Sequence, residues 1–144
     1  MYGVAGFLCL VLVGFCAASD AQSSEKTPSR EQQAQAAARI PVIDGAAGPC
    51  SLELTVFGAD SKPVYDATVK VHIGYGLAGA HRLDLQAGTN ADGKVKFTGI
   101  PARVHRPPIE FNAKKDEFEG SLLYNPTSEC QAKHDLTLEK PKPQ

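Results

Sequence analysis

Four histidines have the widest chemical repertoire of any residues in this chain: His72, His81, His105 and His134. Histidine transfers protons near neutral pH and ligates metals through its ring nitrogens. Recognisable metal and catalytic motifs place histidines at short spacings such as HxH or HExxH, and none of the four follows one. The sequence therefore predicts no catalytic constellation, no metal site and no cofactor.

Two further polar groups have ligand-binding chemistry. Arg103 and Arg106 flank His105 and could bind an anion, although such a run is more often a solvated loop. Asn90 and Asp92 could give two oxygen ligands to calcium, but the additional carboxylates and the downstream glutamate of a calcium loop are missing. A turn is the favoured interpretation of that segment.

Lys70, Asn112 and Glu53 have the chemistry of an intramolecular isopeptide bond, in which a lysine amine condenses with an amide beside a carboxylate. Such a bond needs buried surroundings. Lys70 falls between the apolar residues Val69 and Val71, on the polar side of its strand. We therefore expect no isopeptide bond.

The glycine-rich segment 74–80 presents Tyr75 in flexible backbone. Together with Tyr65 or Tyr124, Tyr75 could form a platform that stacks on a sugar ring. The favoured alternative is that Tyr75 folds back over the edge of the fold. The chain has no Trp, which counts against strong sugar binding because indole offers the largest stacking surface.

Composition and charge exclude several classes of protein. The chain has 144 residues, of which 42% are hydrophobic, and this balance is typical of a globular domain. Its 15 basic and 16 acidic residues leave a formal charge of -1. Nucleic acids and anionic lipids are usually bound by clustered Lys and Arg, so neither is an expected partner.

The N-terminal region has the pattern of a secretory signal peptide. Residues 4–18 are uncharged and mostly apolar, and Ser19 and Ala21 are small residues at the positions before a cleavage site. Fifteen residues are too few for a typical membrane-spanning helix. We expect cleavage after Ala21 and export to the periplasm, the cell envelope or the exterior, with no stable membrane span. An uncleaved anchor and a lipoprotein signal at Cys16 remain alternatives.

Cleavage leaves Cys50 and Cys130 as the cysteines of the mature chain. Two cysteines in an exported protein, with no CxxC spacing, favour a disulfide over a metal or redox site. The alternative is a pair of free, buried thiols.

Residues 22–48 are rich in Ala, Gln and Ser and predict a disordered linker. The folded domain is then expected at 49–140, followed by a flexible tail at 141–144.

Apolar residues alternate with polar ones throughout the domain, which is typical of strands with one buried face. The alternation predicts seven strands, around residues 52–56, 69–73, 83–85, 95–97, 109–113, 118–124 and 136–138. Asp92 and Gly93 predict a tight turn, and thus a hairpin between the third and fourth strands. Seven short strands without a helix predict an all-β, Greek-key β-sandwich.

Two stretches carry a family resemblance: VFGADSKPVYDATV at 56–69 and TNADGKVKFTGIP at 89–101. They resemble the carboxypeptidase regulatory-like domain family over residues 52–138. The resemblance implies a sandwich of the prealbumin or transthyretin type, within the carbohydrate-binding-like folds. It also implies an accessory or cell-surface module, although fold alone does not determine function.

The predicted function is therefore an exported, non-enzymatic β-sandwich that contacts a protein or cell-surface partner. A carbohydrate-binding module is the alternative. A hydrolase of the transthyretin-related kind is a remote one, because that family ends in Tyr-Arg-Gly-Ser and this chain ends in Lys-Pro-Lys-Pro-Gln.

Overall fold

The computed structural model describes residues 29–143, so the predicted signal peptide at 1–21 lies outside the described residues. Strands dominate this range. One helix, α1 (Arg30–Ala38), precedes eight strands: β1 (Val42–Asp44), β2 (Cys50–Phe57), β3 (Thr68–Tyr75), β4 (His81–Gly88), β5 (Lys94–Ile100), β6 (Ile109–Lys115), β7 (Phe118–Tyr124) and β8 (Gln131–Thr137). No helix in this range is long and apolar enough to cross a membrane.

The strands form two four-stranded sheets. One sheet has the order β1-β5-β2-β8 and the other has the order β4-β3-β6-β7. Within the first sheet β2 pairs in parallel with β8, and all pairs within the second sheet are antiparallel. The predicted all-β sandwich is confirmed at this level of description.

The interior lies between the two sheets and is made by every second residue of their strands. Along β2 and β6 buried residues alternate with less buried ones, as a strand with one inward face requires. Phe111 lies near the middle of the core, with its ring centroid 5.2 Å from that of Phe97 and 6.1 Å from that of Tyr124, both edge-on. Edge-on contact is the favoured geometry for aromatic pairs.

The structure differs from the expected disordered linker, because α1 and β1 lie within residues 22–48. β1 pairs in parallel with β5, and Ile43 packs against the core. The Gly45 amide then donates to the Thr98 carbonyl oxygen at 2.9 Å. The sequence prediction missed β1 because a strand of three residues is too short to show a clear alternation. β1 forms because it pairs with β5 at the edge of the sheet, and the composition of the segment does not reveal that pairing.

The predicted hairpin between 83–85 and 95–97 is wrong. The turn itself forms, with Gly93 at φ +71° and the Asn90 side-chain oxygen accepting from the Lys94 amide at 2.8 Å. However, β4 belongs to one sheet and β5 to the other, so the chain crosses between sheets at this turn. The alternation of apolar and polar residues shows which side of a strand is buried, but it does not show which other strand that strand pairs with.

The predicted disulfide between Cys50 and Cys130 is confirmed. It joins the start of β2 to the residue before β8, and the two strands then run side by side. The Ser51 amide donates to the Cys130 carbonyl oxygen at 2.7 Å. The bond therefore ties together the first long strand and the last, which are 80 residues apart in sequence.

We expect the double variant Cys50→Ser/Cys130→Ser to be less stable than the oxidised protein by about 4 kcal/mol. The bond closes a long loop in the unfolded chain and thereby lowers the conformational entropy of the unfolded state. The measurement is urea-induced unfolding followed by circular dichroism. Reduced wild-type protein is the control and should unfold near the variant. Equal unfolding midpoints for the variant and the oxidised protein would show that the bond contributes nothing.

Candidate functional site

The pairing of β3 with β4 places His72 directly opposite Asp84. Val71 and Ile73 point into the core, so the alternation of the strand turns His72 outward. There the His72 Nδ1 atom pairs with the Asp84 Oδ1 atom. The side chains keep 55% and 74% of their surface exposed, so the pair is open to a ligand and adds little to folding stability.

This arrangement is the one that proton transfer by histidine needs. A carboxylate at Nδ1 favours the tautomer with the proton on that atom, which leaves Nε2 free to accept a proton from a reacting group. Sequence reasoning missed the pair because the two residues are 12 positions apart and follow no motif. The pair can be found by treating β3 and β4 as an antiparallel hairpin and matching their residues outward from the turn, which places His72 opposite Asp84.

His72 and Asp84 lie on the outer face of the β4-β3-β6-β7 sheet, near the middle of their strands, and His72 borders a groove of about 420 Å³. We call it the His72 groove. Its volume is within the range of small-molecule sites. It is lined by His72, Gly74, Ala78, Gly79, Arg82, His105, Arg106, Pro108, Ile109 and Glu110.

Two loops build the wall of the His72 groove. The His105 amide donates to the Gly74 carbonyl oxygen at 2.8 Å, which fastens the loop after β5 to the end of β3. The connection from β3 to β4 lies against this loop at Gly79. A Cβ atom at Gly79 would lie 2.8 Å from His105 Cγ, and the residue has φ +71°. Glycine is therefore needed here for both space and backbone conformation.

The charges of the groove favour an anion. Arg82 and Arg106 line it, and neither forms an ion pair with another residue of 29–143. His105 lies beside them and is also without a carboxylate partner in that range. Glu110 is the acidic residue of the lining. The anion-binding segment considered from the sequence, 103–106, thus contributes His105 and Arg106 to the groove, together with Arg82 from β4.

The three tyrosines considered as a sugar platform are not brought together. The Tyr75 ring lies against that of His81, with ring centroids 5.3 Å apart and the ring planes tilted by 31°. Tyr65 is 59% exposed but lies before the start of β3, and the length of that strand, roughly 20 Å, separates it from Tyr75. Tyr124 is 1% exposed and belongs to the core, so a ligand cannot reach it.

Tyr124 has a structural role instead. Its hydroxyl donates to the Cys130 carbonyl oxygen at 3.1 Å and lies 3.4 Å from that of Ser51. Burial, and secondarily the Glu129 carboxylate, raise the pKa of Tyr124 to about 12. The neutral phenol is thus the form that the folded protein favours, and it holds the backbone next to the disulfide.

The remaining polar candidates have local roles. The Asn90 side chain accepts from two amides of its own turn and donates to the Ala38 carbonyl oxygen at 3.1 Å, so it is already used in the turn and in holding α1. Lys70 and Asn112 face each other across β3 and β6. Glu53 belongs to the other sheet and pairs with Lys133 at 3.6 Å, so it cannot assist an isopeptide bond between them.

His134 pairs with Glu129 at 2.8 Å on the sheet that contains β8, away from the His72 groove. Among residues 29–143 no three His, Cys, Asp or Glu side chains are grouped closely enough to hold a metal ion. The structure therefore brings together two of the four histidines, His72 and His105, and it joins them to arginines in a single groove.

Comparison with known proteins finds similarity at the level of structure. No family model and no curated protein matches the sequence. Among solved structures, catechol 1,2-dioxygenase from Acinetobacter sp. ADP1 matches at 13% identity and a TM-score of 0.42, covering 71% of this chain and 59% of the enzyme. Chlorocatechol 1,2-dioxygenase from Pseudomonas putida matches at 16% and 0.42, covering 70% and 67%. Catechol 1,2-dioxygenase from Acinetobacter radioresistens matches at 13% and 0.44, covering 73% and 60%.

The predicted function of a non-enzymatic interaction module and the prediction that the chain is not an enzyme disagree with these matches, in which the proteins named are catechol and chlorocatechol dioxygenases. Alternating strands and missing motifs had suggested a module without chemistry, but fold alone does not determine function. The chain spans about 60% of the length of the catechol dioxygenases. At these identities and with TM-scores below 0.5, no substrate or reaction passes from them to this chain.

The raised pKa of Tyr124 predicts a pH dependence of stability. The folded-state value of about 12 exceeds the ordinary value of 10.0, so the contribution of the protonated phenol is complete below pH 10 and is lost as the pH rises toward 12. Tyr124→Phe should lower the free energy of unfolding by about 1 kcal/mol at pH 8, because a buried carbonyl loses its donor. Its deficit relative to wild type should shrink at about pH 11.5.

The measurement is urea unfolding of both proteins at pH 8 and about pH 11.5. Tyr65→Phe is the matched control, because Tyr65 is exposed and its removal should leave stability unchanged at both pH values. A Tyr124→Phe deficit that is identical at the two pH values would contradict the role given to the buried phenol.

Proposed function

We propose that this protein is an exported enzyme that carries out acid–base chemistry on a small anionic substrate in the His72 groove. The observation that carries the proposal is the pairing of His72 with Asp84 on the rim of a groove that also holds Arg82 and Arg106. The pair supplies a proton acceptor, and the two arginines supply positive charge without a carboxylate partner among the described residues.

Hydrolysis of an ester is the reaction that these groups fit best. The side chains lining the groove include no serine, threonine or cysteine, so the nucleophile is water. His72 Nε2 accepts a proton from this water while its oxygen bonds to the ester carbonyl carbon. The carbon–oxygen bond to the leaving group then breaks, and His72 returns the proton to the departing oxygen. Asp84 keeps the imidazole in the required tautomer.

The arginines bind the charge of the substrate. A guanidinium group offers a planar set of donors that matches a carboxylate or phosphate, and it keeps its charge across the physiological pH range. Arg82 extends from β4 and Arg106 from the loop after β5, so a bound anion would bridge two separate parts of the chain. Binding through these residues should mainly affect KM, whereas His72 should mainly affect kcat.

The proposal includes a fold of the transthyretin type and membership of the carboxypeptidase regulatory-like family. Support comes from the seven strands that follow β1, which divide as β5-β2-β8 and β4-β3-β6-β7. Further support comes from the positive φ of Gly93 within the TNADG stretch that carries the resemblance. We also propose that these seven strands are connected as a Greek key.

Export is also part of the proposal. The apolar segment at 4–18 and the small residues after it support a cleaved signal peptide. The Cys50–Cys130 disulfide supports an oxidising compartment, since such bonds are rare in reducing ones. An exported enzyme meets its substrate outside the cytoplasm, so the proposed site of the reaction is the periplasm, the cell envelope or the exterior.

The test uses a chromogenic ester with a negative charge, 3-acetoxy-4-nitrobenzoate, and its uncharged counterpart, 2-nitrophenyl acetate. We expect His72→Gln to lower kcat for the charged ester by at least about 100-fold, because general base catalysis contributes that much. Arg82→Gln should raise KM for the charged ester and leave the uncharged ester unaffected. Release of the nitrophenolate is followed by absorbance.

His134→Gln is the matched control, because His134 is also a surface histidine paired with a carboxylate, Glu129, but lies on the other sheet. It should hydrolyse the charged ester as wild type does. Equal rates for wild type, His72→Gln and His134→Gln would overturn the proposal. Circular dichroism spectra of the three proteins check that each is folded.

A further inference from the structure

β4 is an edge strand whose outer side has no partner among the described residues. In the order β4-β3-β6-β7 it pairs with β3 alone, in an unbroken antiparallel register from His81 to Gly88. No isolated bridge and no backbone hydrogen bond from elsewhere in residues 29–143 reaches its other side. One side of an eight-residue strand therefore presents amide and carbonyl groups for pairing.

The other three sheet edges are protected against pairing. β1 is three residues long. Along β7 the Glu119 amide donates to the Glu139 carbonyl oxygen at 2.9 Å, and the Glu139 amide donates back at 2.9 Å. β8 carries the exposed lysine Lys133. Short strands, covered edges and lysines all prevent strand pairing between molecules. β4 is long and contains neither lysine nor proline, and its charged residues, Arg82 and Asp84, have opposite signs.

The residues that present backbone groups to this edge can be identified from β3. The Gly74 carbonyl oxygen accepts from the His105 amide at 2.8 Å, on the side of β3 away from β4. Gly74 is opposite Arg82. Opposite residues of an antiparallel pair direct their backbone groups either toward each other or both away. The amide and carbonyl of Arg82, and of every second residue from there to Gly88, therefore point to the edge.

A second copy of β4, running antiparallel to the first, fits this edge. With Leu85 on the two-fold axis, Arg82 is opposite Gly88 of the partner subunit. Asp84 is then opposite Gln86 of the partner subunit. All four of these residues direct backbone groups to the edge, so each facing pair exchanges two hydrogen bonds and the interface has about eight. The outer faces of the two copies lie on the same side of the joint sheet.

Registers centred on Leu83 or Gln86 pair fewer residues. The amides of Ala80 and Asn90, which flank β4, already donate to carbonyl oxygens of their own turns, at 3.1 and 2.9 Å. Neither residue therefore extends the pairing, and these registers form only about four or six backbone hydrogen bonds between the copies. The register centred on Leu85 uses the whole strand.

The charges of the edge also favour Leu85 at the centre. With Asp84 on the axis, each Asp84 would be opposite its own copy, and like charges directly opposite destabilise a sheet. With Leu83 on the axis, Arg82 would be opposite Asp84 of the partner subunit, but an exposed ion pair contributes little. Two such pairs do not replace the backbone hydrogen bonds that the shorter overlap gives up.

We propose that β4 pairs with β4 of a second copy of this chain, antiparallel and centred on Leu85, so that two sheets become one. The Asp84 Oδ1 atom pairs with His72, and the other carboxylate oxygen has no hydrogen-bond partner among the described residues. It can accept from the side-chain amide of Gln86 of the partner subunit. Each copy thus contributes a residue beside the His72–Asp84 pair of the other. The inference does not rest on the proposed function.

The first experiment measures the mass of the exported chain by sedimentation velocity over a range of concentrations. Wild type should change from monomer to dimer as the concentration rises. Gln86→Lys should tighten the dimer and Gln86→Glu should weaken it, each by about fivefold in Kd, because residue 86 is opposite Asp84 of the partner subunit and the contact occurs twice. Gln131→Lys and Gln131→Glu, on the edge strand β8 of the other sheet, are the matched controls and should leave the Kd unchanged.

The second experiment tests the register by oxidative cross-linking. Leu85→Cys should give a disulfide-linked dimer, because opposite residues at such a position have Cα atoms about 4.5 Å apart, within the range of a disulfide. Leu83→Cys is the matched variant and should stay unlinked, because Ala87 of the partner subunit lies opposite it. Circular dichroism spectra check that both variants are folded.

Three outcomes overturn the inference. Wild type that sediments as a monomer at every concentration would leave the edge of β4 to another occupant, such as an extended peptide. A dimer whose Kd responds in the same way to the Gln86 and Gln131 substitutions would form through another surface. Linkage of Leu83→Cys in place of Leu85→Cys would show a different register.

Discussion

Burial of one face of each sheet against the other is the constraint on which the rest of this structure depends. The core takes its residues from both sheets, including Leu54 on one and Phe111 on the other. Each inward residue obliges its neighbours to point outward. His72 and Lys70 are exposed for that reason, since Val71 between them is buried. The same alternation that stabilises the interior thus spaces the chemical groups on the outer face, two residues apart along each strand.

Sequence patterns identified the strands of the domain but not their neighbours. Alternation around Val71 and Phe97 depends only on local burial, so it is visible in a single segment. Assignment of β4 and β5 to different sheets depends on contacts between distant segments, and a turn at Gly93 fits either arrangement. β1 escaped prediction because its stability comes from an edge of β5, which its own residues do not reveal.

In the candidate site too, features of a single segment could be predicted from the sequence, whereas contacts between distant segments could not. Cys50 and Cys130 could be paired from composition alone, because they are the two cysteines outside the predicted signal peptide. The partnership of His72 with Asp84 depends on the register of two strands, which no local motif encodes. Tyr124 could not be separated from Tyr65 and Tyr75 by its type, because its burial follows from the approach of β7 to the disulfide.

The pairing of β2 with β8 determines the orientation of the domain relative to any support or partner that is joined to its ends. β8 ends beside Phe57, and α1 meets the fold at Asn90, next to the start of β5, so both ends of the described chain reach the same pole of the sandwich. β3 runs from that pole toward Arg82 and His105 at the opposite one. An anchor, a fusion partner or an immobilising resin joined at either end of the described residues 29–143 therefore leaves the far pole presented outward.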